Sequence, residues 1–239
     1  MAIKRPCLEY PSRWGQRILR IADTIALHSP DIIVFSEFRA ASGTELRHLL
    51  AARGYAYMSA PVLAARQNGV AIVSRWAVAP AVDDPPIGIP SSRWHEVTLP
   101  SIDLVVAGFY GALENEPYND WWLSVRAAAR KRLHRPFLLA GDFNTGQSII
   151  DAPRDPFYCA EHFDALQDLG LVDAWRTKNA SAREYSWYSR RGGKDLNGFR
   201  LDHVLVSPVL ATRIVAAKYL HSDREAGTSD HSALLVEFH

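Results

Sequence analysis

Acidic, amide and imidazole side chains recur in this chain at the ends of short apolar runs, where rigid strands can aim them into one space. The run from Pro136 to Thr145, Pro-Phe-Leu-Leu-Ala-Gly-Asp-Phe-Asn-Thr, is the centre of that pattern. Phe137 to Ala140 are continuously apolar between a proline and a glycine, as in a strand buried on both faces. Gly141 is expected to turn the chain at the strand's end, and side-chain alternation then points Asp142 and Asn144 the same way. A carboxylate at 142 can orient a water or take its proton, and a carboxamide at 144 can hold that water or a phosphate oxygen. Taken alone, the run is equally well a polar turn after a core strand.

Three further stretches break the tie. Asp31-Ile-Ile-Val-Phe-Ser-Glu37 reads as a buried strand delivering Glu37 at its carboxyl end, although a lone glutamate there is more often a solvated turn residue. Phe199-Arg-Leu-Asp-His-Val-Leu-Val-Ser207 places Asp202 inside an apolar strand, where an unpaired carboxylate is costly and a salt bridge or turn cap is the bland alternative. Gly227-Thr-Ser-Asp-His-Ser232 sets Asp230 and His231 just before the last strand. A histidine beside one aspartate and near a second, buried one is a better catalytic candidate than a lone histidine. Carboxylates, one amide and one histidine without cysteine ligands describe a hard-cation site, suited to Mg²⁺ or Mn²⁺ and a substrate phosphate. A Ser-His-Asp triad would use similar residue types, but the chain has no Gly-x-Ser-x-Gly nucleophile turn.

The elements that must position these ends are readable from periodicity. Trp14 to His28 carries apolar Trp14, Ile18, Ile21, Ala22 and Ile25 at helical spacing, and Pro30 ends it. Thr44 to Arg53 suits a second helix stopped by Gly54, and short strands follow at Tyr55 to Met58 and Val70 to Ser74. Pro80 to Ser92 is a surface loop; Arg93 to Leu99 and Leu104 to Tyr110 are the next strands. Asn119 to His134 is a helix whose terminal Arg130, Lys131 and Arg132 suit its dipole, and Ala160 to Leu169 is another, closed by Gly170. Leu201 to Ser207 and Ser232 to Phe238 complete the strands, while residues 1 to 13 show no period. Strands and helices interleave without a strict βαβ rhythm, which argues for two packed sheets flanked by helices.

Composition bounds the partners. The 239 residues, 48% hydrophobic and 22% charged, suit one folded domain over 1–239. With a formal net charge of +1, no global field attracts nucleic acid or acidic membrane, so an anionic substrate must be held locally. Cys7 and Cys159 exclude a disulfide framework, and no apolar run is long enough to span a bilayer. A cytoplasmic monomer with no membrane partner is expected.

Ser-Glu-Phe at 36 to 38, Gly-Asp-Phe-Asn at 141 to 144, Arg-Leu-Asp-His at 200 to 203 and Ser-Asp-His at 229 to 231 resemble the ordered motifs of the endonuclease/exonuclease/phosphatase superfamily. Gly170-Leu-Val-Asp-Ala-Trp-Arg176, Tyr185-Ser-Trp-Tyr188 and Gly198-Phe-Arg-Leu-Asp202 are similar to its exonuclease III branch. The resemblance spans roughly Trp14 to Phe238 and implies a four-layer α/β sandwich, two mainly antiparallel sheets packed face to face with helices outside. It implies Glu37 as a metal ligand with Asp230 near the metal, Asp142 as the residue that orients or deprotonates water, and Asn144 as its companion. It further implies His231 on the scissile phosphate, held by Asp202, and Tyr110 as a phosphate contact, with Phe109 competing for that position. Asn68 matches a site-lining polar residue. Trp175 suits core packing, whereas Trp187 suits stacking on a base or sugar.

One departure stands out: the family opens with a strand ending in a metal-holding asparagine, and none precedes Trp14 here. A core strand and a ligand are therefore expected upstream of Met1. The reading that follows is a divalent-metal phosphoesterase acting on a DNA phosphodiester, with Arg190, Arg191 and Lys194 gripping flanking phosphates. A small-molecule or lipid-headgroup phosphoesterase is the alternative. A phosphate-binding module impaired by the missing strand is the alternative from another class.

Overall fold

A computed structural model describes residues 13–113, 116, 118–152, 157–189 and 197–239. In chain order the elements are α1 (Arg13–His28), β1 (Ile32–Phe38), α2 (Ala40–Ala51), β2 (Tyr57–Ser59), β3 (Gly69–Ser74), β4 (Ala79–Pro80), β5 (Trp94–Leu99), β6 (Leu104–Tyr110), α3 (Tyr118–Arg132) and β7 (Phe137–Asp142). They continue with α4 (Ala160–Asp168), β8 (Val172–Asp173), α5 (Arg176–Asn179), β9 (Trp187–Ser189), β10 (Asn197–Phe199), β11 (Asp202–Val206), α6 (Pro208–Ala211), β12 (Ile214–Leu220), α7 (Ser222–Glu225) and β13 (Ala233–Phe238). No helix among the described residues is long and apolar enough to cross a membrane.

The central layer is a six-stranded sheet ordered β4-β5-β6-β7-β11-β8, antiparallel except for the β6–β7 pair. Period-two alternation lets each central strand serve two cores. On β6 and β7, Val105, Ala107, Phe109, Phe137 and Leu139 pack under Trp122 and Val125 of α3 and Phe163 and Leu166 of α4. The intervening Leu104, Val106, Leu138 and Ala140 face the second sheet layer, where they meet Ile72 of β3, with Val34 of β1 and Val236 of β13 packed against them. Between the layers, a Cβ on Gly108 would lie 2.2 Å from Val70 Cγ1 and 3.0 Å from Val34 Cγ1, so glycine lets them pack.

The second layer consists of two sheets, β1-β3-β2 and β12-β13. Helices α1 and α2 cover the first of these through Ile18, Ile25, Leu46 and Leu50, which completes the four-layer sandwich. Among the described residues β1 pairs with β3 alone and β13 with β12 alone, and both strands stay partly exposed while β3 is fully buried. The expected first strand falls outside the described residues.

Two expectations need correction. Arg132 does not simply complement its helix dipole: it is fully buried, with Nε 2.8 Å from Glu96 Oε2. Gly141 does not turn the chain, because the strand runs through it to Asp142. Its φ of 144° and the approach of Phe109 O to within 2.0 Å of a would-be Cβ explain why glycine is required there. Gly141→Ala should lower unfolding free energy by roughly 1–3 kcal/mol, the usual cost of a strained backbone residue. Urea denaturation measures it, and an unchanged midpoint would mean the strand relaxes freely.

Candidate active site

Three neighbouring strands of the central sheet end in one row. Asp142 closes β7, with Tyr110 of β6 and Asp202 of β11 directly beside it in register. Side chains of paired residues project to the same face, so this register alone brings a phenol and two carboxylates together. Tyr110 and Asp142 are buried, whereas Phe109, the competing aromatic, points into the core and packs edge-on against Trp122 and Phe143. Beyond the strand, Asn144 adopts a left-handed backbone with φ 52°. Its N–H donates to Asp142 Oδ1 at 2.9 Å and its side-chain amide to the Gly111 carbonyl at 3.1 Å. Asn144 is therefore aimed by a turn closed on Asp142, not by strand alternation.

The second layer supplies the other half. The Asp142 N–H donates to Ser36 Oγ at 3.0 Å, tying the end of β1 to the end of β7. Next to it Glu37, exposed and at φ 57° within a register irregularity of β1, accepts a 2.8 Å hydrogen bond from Tyr110 Oη. Asn68 borders this corner and accepts from Arg39 Nε at 2.6 Å. The Arg93 guanidinium lies 4.1 Å above the Tyr110 ring and fixes its plane. From the segment before β13, His231 Nδ1 donates to Asp202 Oδ2 at 2.8 Å, leaving Nε2 as the atom available to a ligand. The Trp187 ring stands 6.4 Å from the imidazole and 5.9 Å from Phe199, an aromatic wall beside His231. Trp175, by contrast, is fully buried and packs on Tyr219.

Electrostatics follow from crowding. Burial, then the charge of Asp202, pushes the Asp142 carboxyl up to about 7, against the pull of His231 and the Asn144 N–H. Burial alone would make His231 less basic, but Asp202 overrides it and lifts the imidazole to about 10. Burial and the hydrogen bond to Glu37 hold the Tyr110 phenol above its usual range, so it remains a donor.

Asp142, Asp202 and His231 each offer a ligand atom within 4.8 Å of the others. Two acids packed this closely, one resisting ionisation, are donors that a hard cation would relieve, so the carboxylates fit Mg²⁺ or Mn²⁺, whereas a charged His231 has no lone pair with which to ligate. Glu37 and Asp230, the ligands expected from the motifs, stand outside that trio; both are exposed, and both reach it through their charge, Glu37 on Asp142 and Asp230 on His231. Arg190, Arg191 and Lys194 lie outside the described residues.

Sequence reasoning missed the residues that hold Asp202 in place. Ser186, fully buried, accepts from the N–H groups of Leu201 and Asp202, and Tyr219 Oη donates to the Asp202 carbonyl at 2.6 Å. Ser36 and Ser186 were visible as members of their motifs, Ser-Glu-Phe at 36 to 38 and Tyr185-Ser-Trp-Tyr188, but without a role; Tyr219 carries no local signal.

The profile of the Endonuclease/Exonuclease/phosphatase family matches residues 7–231. Exodeoxyribonuclease III of Haemophilus influenzae is 29% identical over 166 residues, covering 62% of this chain and 57% of that protein's own length. The 3′ phosphatase NExo from Neisseria, solved with a product DNA hairpin, superposes with a TM-score of 0.80 at 25% identity, covering 94% of this chain and 95% of that one. An AP endonuclease from Archaeoglobus fulgidus, at 22% identity and a TM-score of 0.77, shares the fold over 92% of this chain and 93% of its own.

The Asp142 carboxyl generates a pH prediction. With its native value near 7 and its ordinary value 3.8, the folded protein keeps a proton that the unfolded chain has lost, so stability falls as pH rises through that window. In EDTA, Asp142→Asn should therefore gain melting temperature relative to the parent between pH 5 and pH 8. A difference that stays constant across those pH values would show that Asp142 ionises without penalty.

Proposed function

Because this chain belongs to the Endonuclease/Exonuclease/phosphatase family, we propose that it is a divalent-cation-dependent phosphoesterase acting on DNA through direct attack of water on phosphorus. The observation that carries the reading is the row Tyr110–Asp142–Asp202 with His231 closing on Asp202. Asp142, central in the row and held by the Ser36 hydroxyl and the Asn144 N–H, orients the water and takes its proton. Asn144, anchored on Gly111, holds the water or a phosphate oxygen. His231, charged and fixed by Asp202, donates from Nε2 to a phosphate oxygen as negative charge builds. Tyr110 adds a second donor once Glu37 is engaged elsewhere. As the new P–O bond forms, the ester P–O bond breaks and its oxygen leaves with a proton from solvent. A hard cation held by Glu37, with Asp230 and the Asp142 and Asp202 carboxylates nearby, would neutralise charge on the phosphate and leaving oxygen.

Glu37→Gln should abolish cation-dependent turnover and leave the melting profile intact, since it keeps size and removes the charge a hard cation requires. Asp142→Asn should lower kcat about 100-fold or more, the usual contribution of a general base, while retaining cation binding. Near-normal turnover of the Glu37 variant in saturating Mg²⁺ would reduce Glu37 to a turn residue.

The DNA substrate is supported by the exodeoxyribonuclease relative and by the DNA-bound phosphatase neighbour. Trp187 beside His231 offers a stacking surface for a base or sugar. The net charge of +1 favours modest affinity and few phosphate contacts, and it is also the observation that favours a small phosphoester instead. A panel of abasic DNA, 3′-phosphate DNA, plain DNA, RNA and small phosphoesters, each with Mg²⁺ and with EDTA, separates these readings from a non-catalytic binding module. DNA binding should weaken with salt as if roughly two to four counterions were released. Replacing Arg190 and Arg191 with alanine should raise KM on DNA and spare a small phosphodiester; equal effects on both substrates would favour the small-phosphoester reading.

A further inference from the structure

Behind the row of active-site carboxylates lies a second set of charges that the chemistry above does not use. Arg200 and Asp151 are both fully buried, and they meet side on, with Arg200 Nε and Nη2 each 2.7 Å from the Asp151 oxygens. The same Nη2 donates to Asp173 Oδ2 at 2.6 Å, and Arg176 closes on Asp151 from the outer side. Burial alone would raise Asp151, but the hydrogen bonds and charge of Arg200 hold it below the usual carboxylate range. A buried ion pair of this kind contributes little net stability, because desolvation offsets most of the attraction. Its placement offers a better reason for it.

The segment from Phe143 to Asp151 carries Asn144, and the segment from Arg200 to His203 carries Asp202. The two are fastened at three points. Phe143 N–H donates to the Leu201 carbonyl at 2.8 Å, His203 Nε2 to the Thr145 carbonyl at 2.8 Å, and Arg200 N–H to the Asp151 carbonyl at 2.9 Å. Asp151 also turns its own loop back, accepting the Gln147 N–H at 2.9 Å. The loop is strained at Ile149, a β-branched residue at φ 74°, and turns through the left-handed region at Asn144, φ 52°. Such conformations persist only where the surroundings over-determine them. The fit is also close, since a Cβ on Gly146 would sit 2.8 Å from the Arg200 carbonyl and 3.0 Å from Asp151 Cβ.

We infer that the buried Asp151–Arg200 pair is a positioning device that sets Asn144 against Asp202, and through Asp202 His231, with Asp151 and Arg200 as positioning residues that never touch substrate. The inference rests on the phosphoesterase reading for its catalytic consequence and on geometry alone for its structural one. Asp151→Asn keeps shape and removes the charge. Gly146→Ala keeps every charge and forces the loop away from Arg200 by contact with backbone.

The experiment reads amide hydrogen exchange of the Asn144 N–H in EDTA, together with kcat and KM on a chromogenic phosphodiester in Mg²⁺, well below each variant's melting temperature. Both variants should exchange the Asn144 amide at least about tenfold faster, while amides of β6 keep their protection. Both should lose roughly 10- to 100-fold in kcat with KM within about twofold, the cost of displacing a catalytic group by up to an ångström. Parent-like Asn144 exchange in the folded variants overturns the inference, as does parent-like kcat in an active enzyme. If the parent turns over no phosphoester, the functional reading fails and the exchange measurement still decides the positioning role. Should Asp151→Asn not fold, Gly146→Ala carries both measurements.

Discussion

Asp142 and Asp202 face each other across the β7–β11 pair, and this enforced contact between two acids is the constraint on which the rest of the structure depends. Strand register leaves them no means of separating, because β7 and β11 lie inside the six-stranded sheet with apolar cores on both faces. The repulsion is met by chemistry at the strand ends instead. His231 becomes strongly basic against Asp202, and the Asn144 N–H turns back onto Asp142. What remains uncompensated appears as an Asp142 carboxyl pushed up to about 7, the kind of perturbed group that a neighbouring cation would relieve.

Half of the site belongs to other sheets. Ser36 and Glu37 come from β1, and His231 comes from the segment before β13. Hydrogen bonds such as Ser36 to Asp142 contribute roughly 0.5–1.5 kcal/mol each, whereas each fully buried Val or Leu between the layers contributes about 1.5–3 kcal/mol. The inter-sheet core of Ile72, Leu138, Val204 and their neighbours therefore sets how the layers align. The polar contacts choose among the few arrangements that core allows. At Gly108 the two layers leave no room for a side chain, which would press on Val70 and Val34 and so bear on the spacing of Glu37 and Tyr110.

Much of this was legible in the sequence, and the exceptions share a cause. Apolar runs ending in Glu37 and Asp142 and one that follows Asp202 announced the strands, and the burial of Trp175 agrees with its reading as a core residue. Period-two alternation separates Phe109 from Tyr110 without ambiguity once the strand is granted. By contrast, the path of the chain through Gly141, the turn that aims Asn144 and the strand β12 went unread. So did the role of Ser186, whose hydroxyl satisfies two N–H groups at the start of β11. Each of these is decided by the register between segments far apart in the chain. Local periodicity carries no such information, and an irregular pairing, as between Ile214 and Ala216 on β12, blurs even the alternation.

Charge balance links the site to its substrate. The chain is almost neutral, with a formal charge of +1, and the candidate site is itself acidic through Glu37, Asp142, Asp202 and Asp230. A phosphate anion approaching that corner meets repulsion unless His231 is charged and a cation has been taken up first. On the phosphoesterase reading, affinity and catalysis then draw on the same two positive centres. Binding that depends on them strengthens as charge accumulates on the phosphate, so more of the interaction is expressed in the transition state than in the ground state. A broadly basic surface would instead hold substrate and transition state alike. On that reading the near-neutral chain concentrates its electrostatics at the reacting phosphorus, and the Trp187 ring beside His231 would be left to orient the flanking base or sugar.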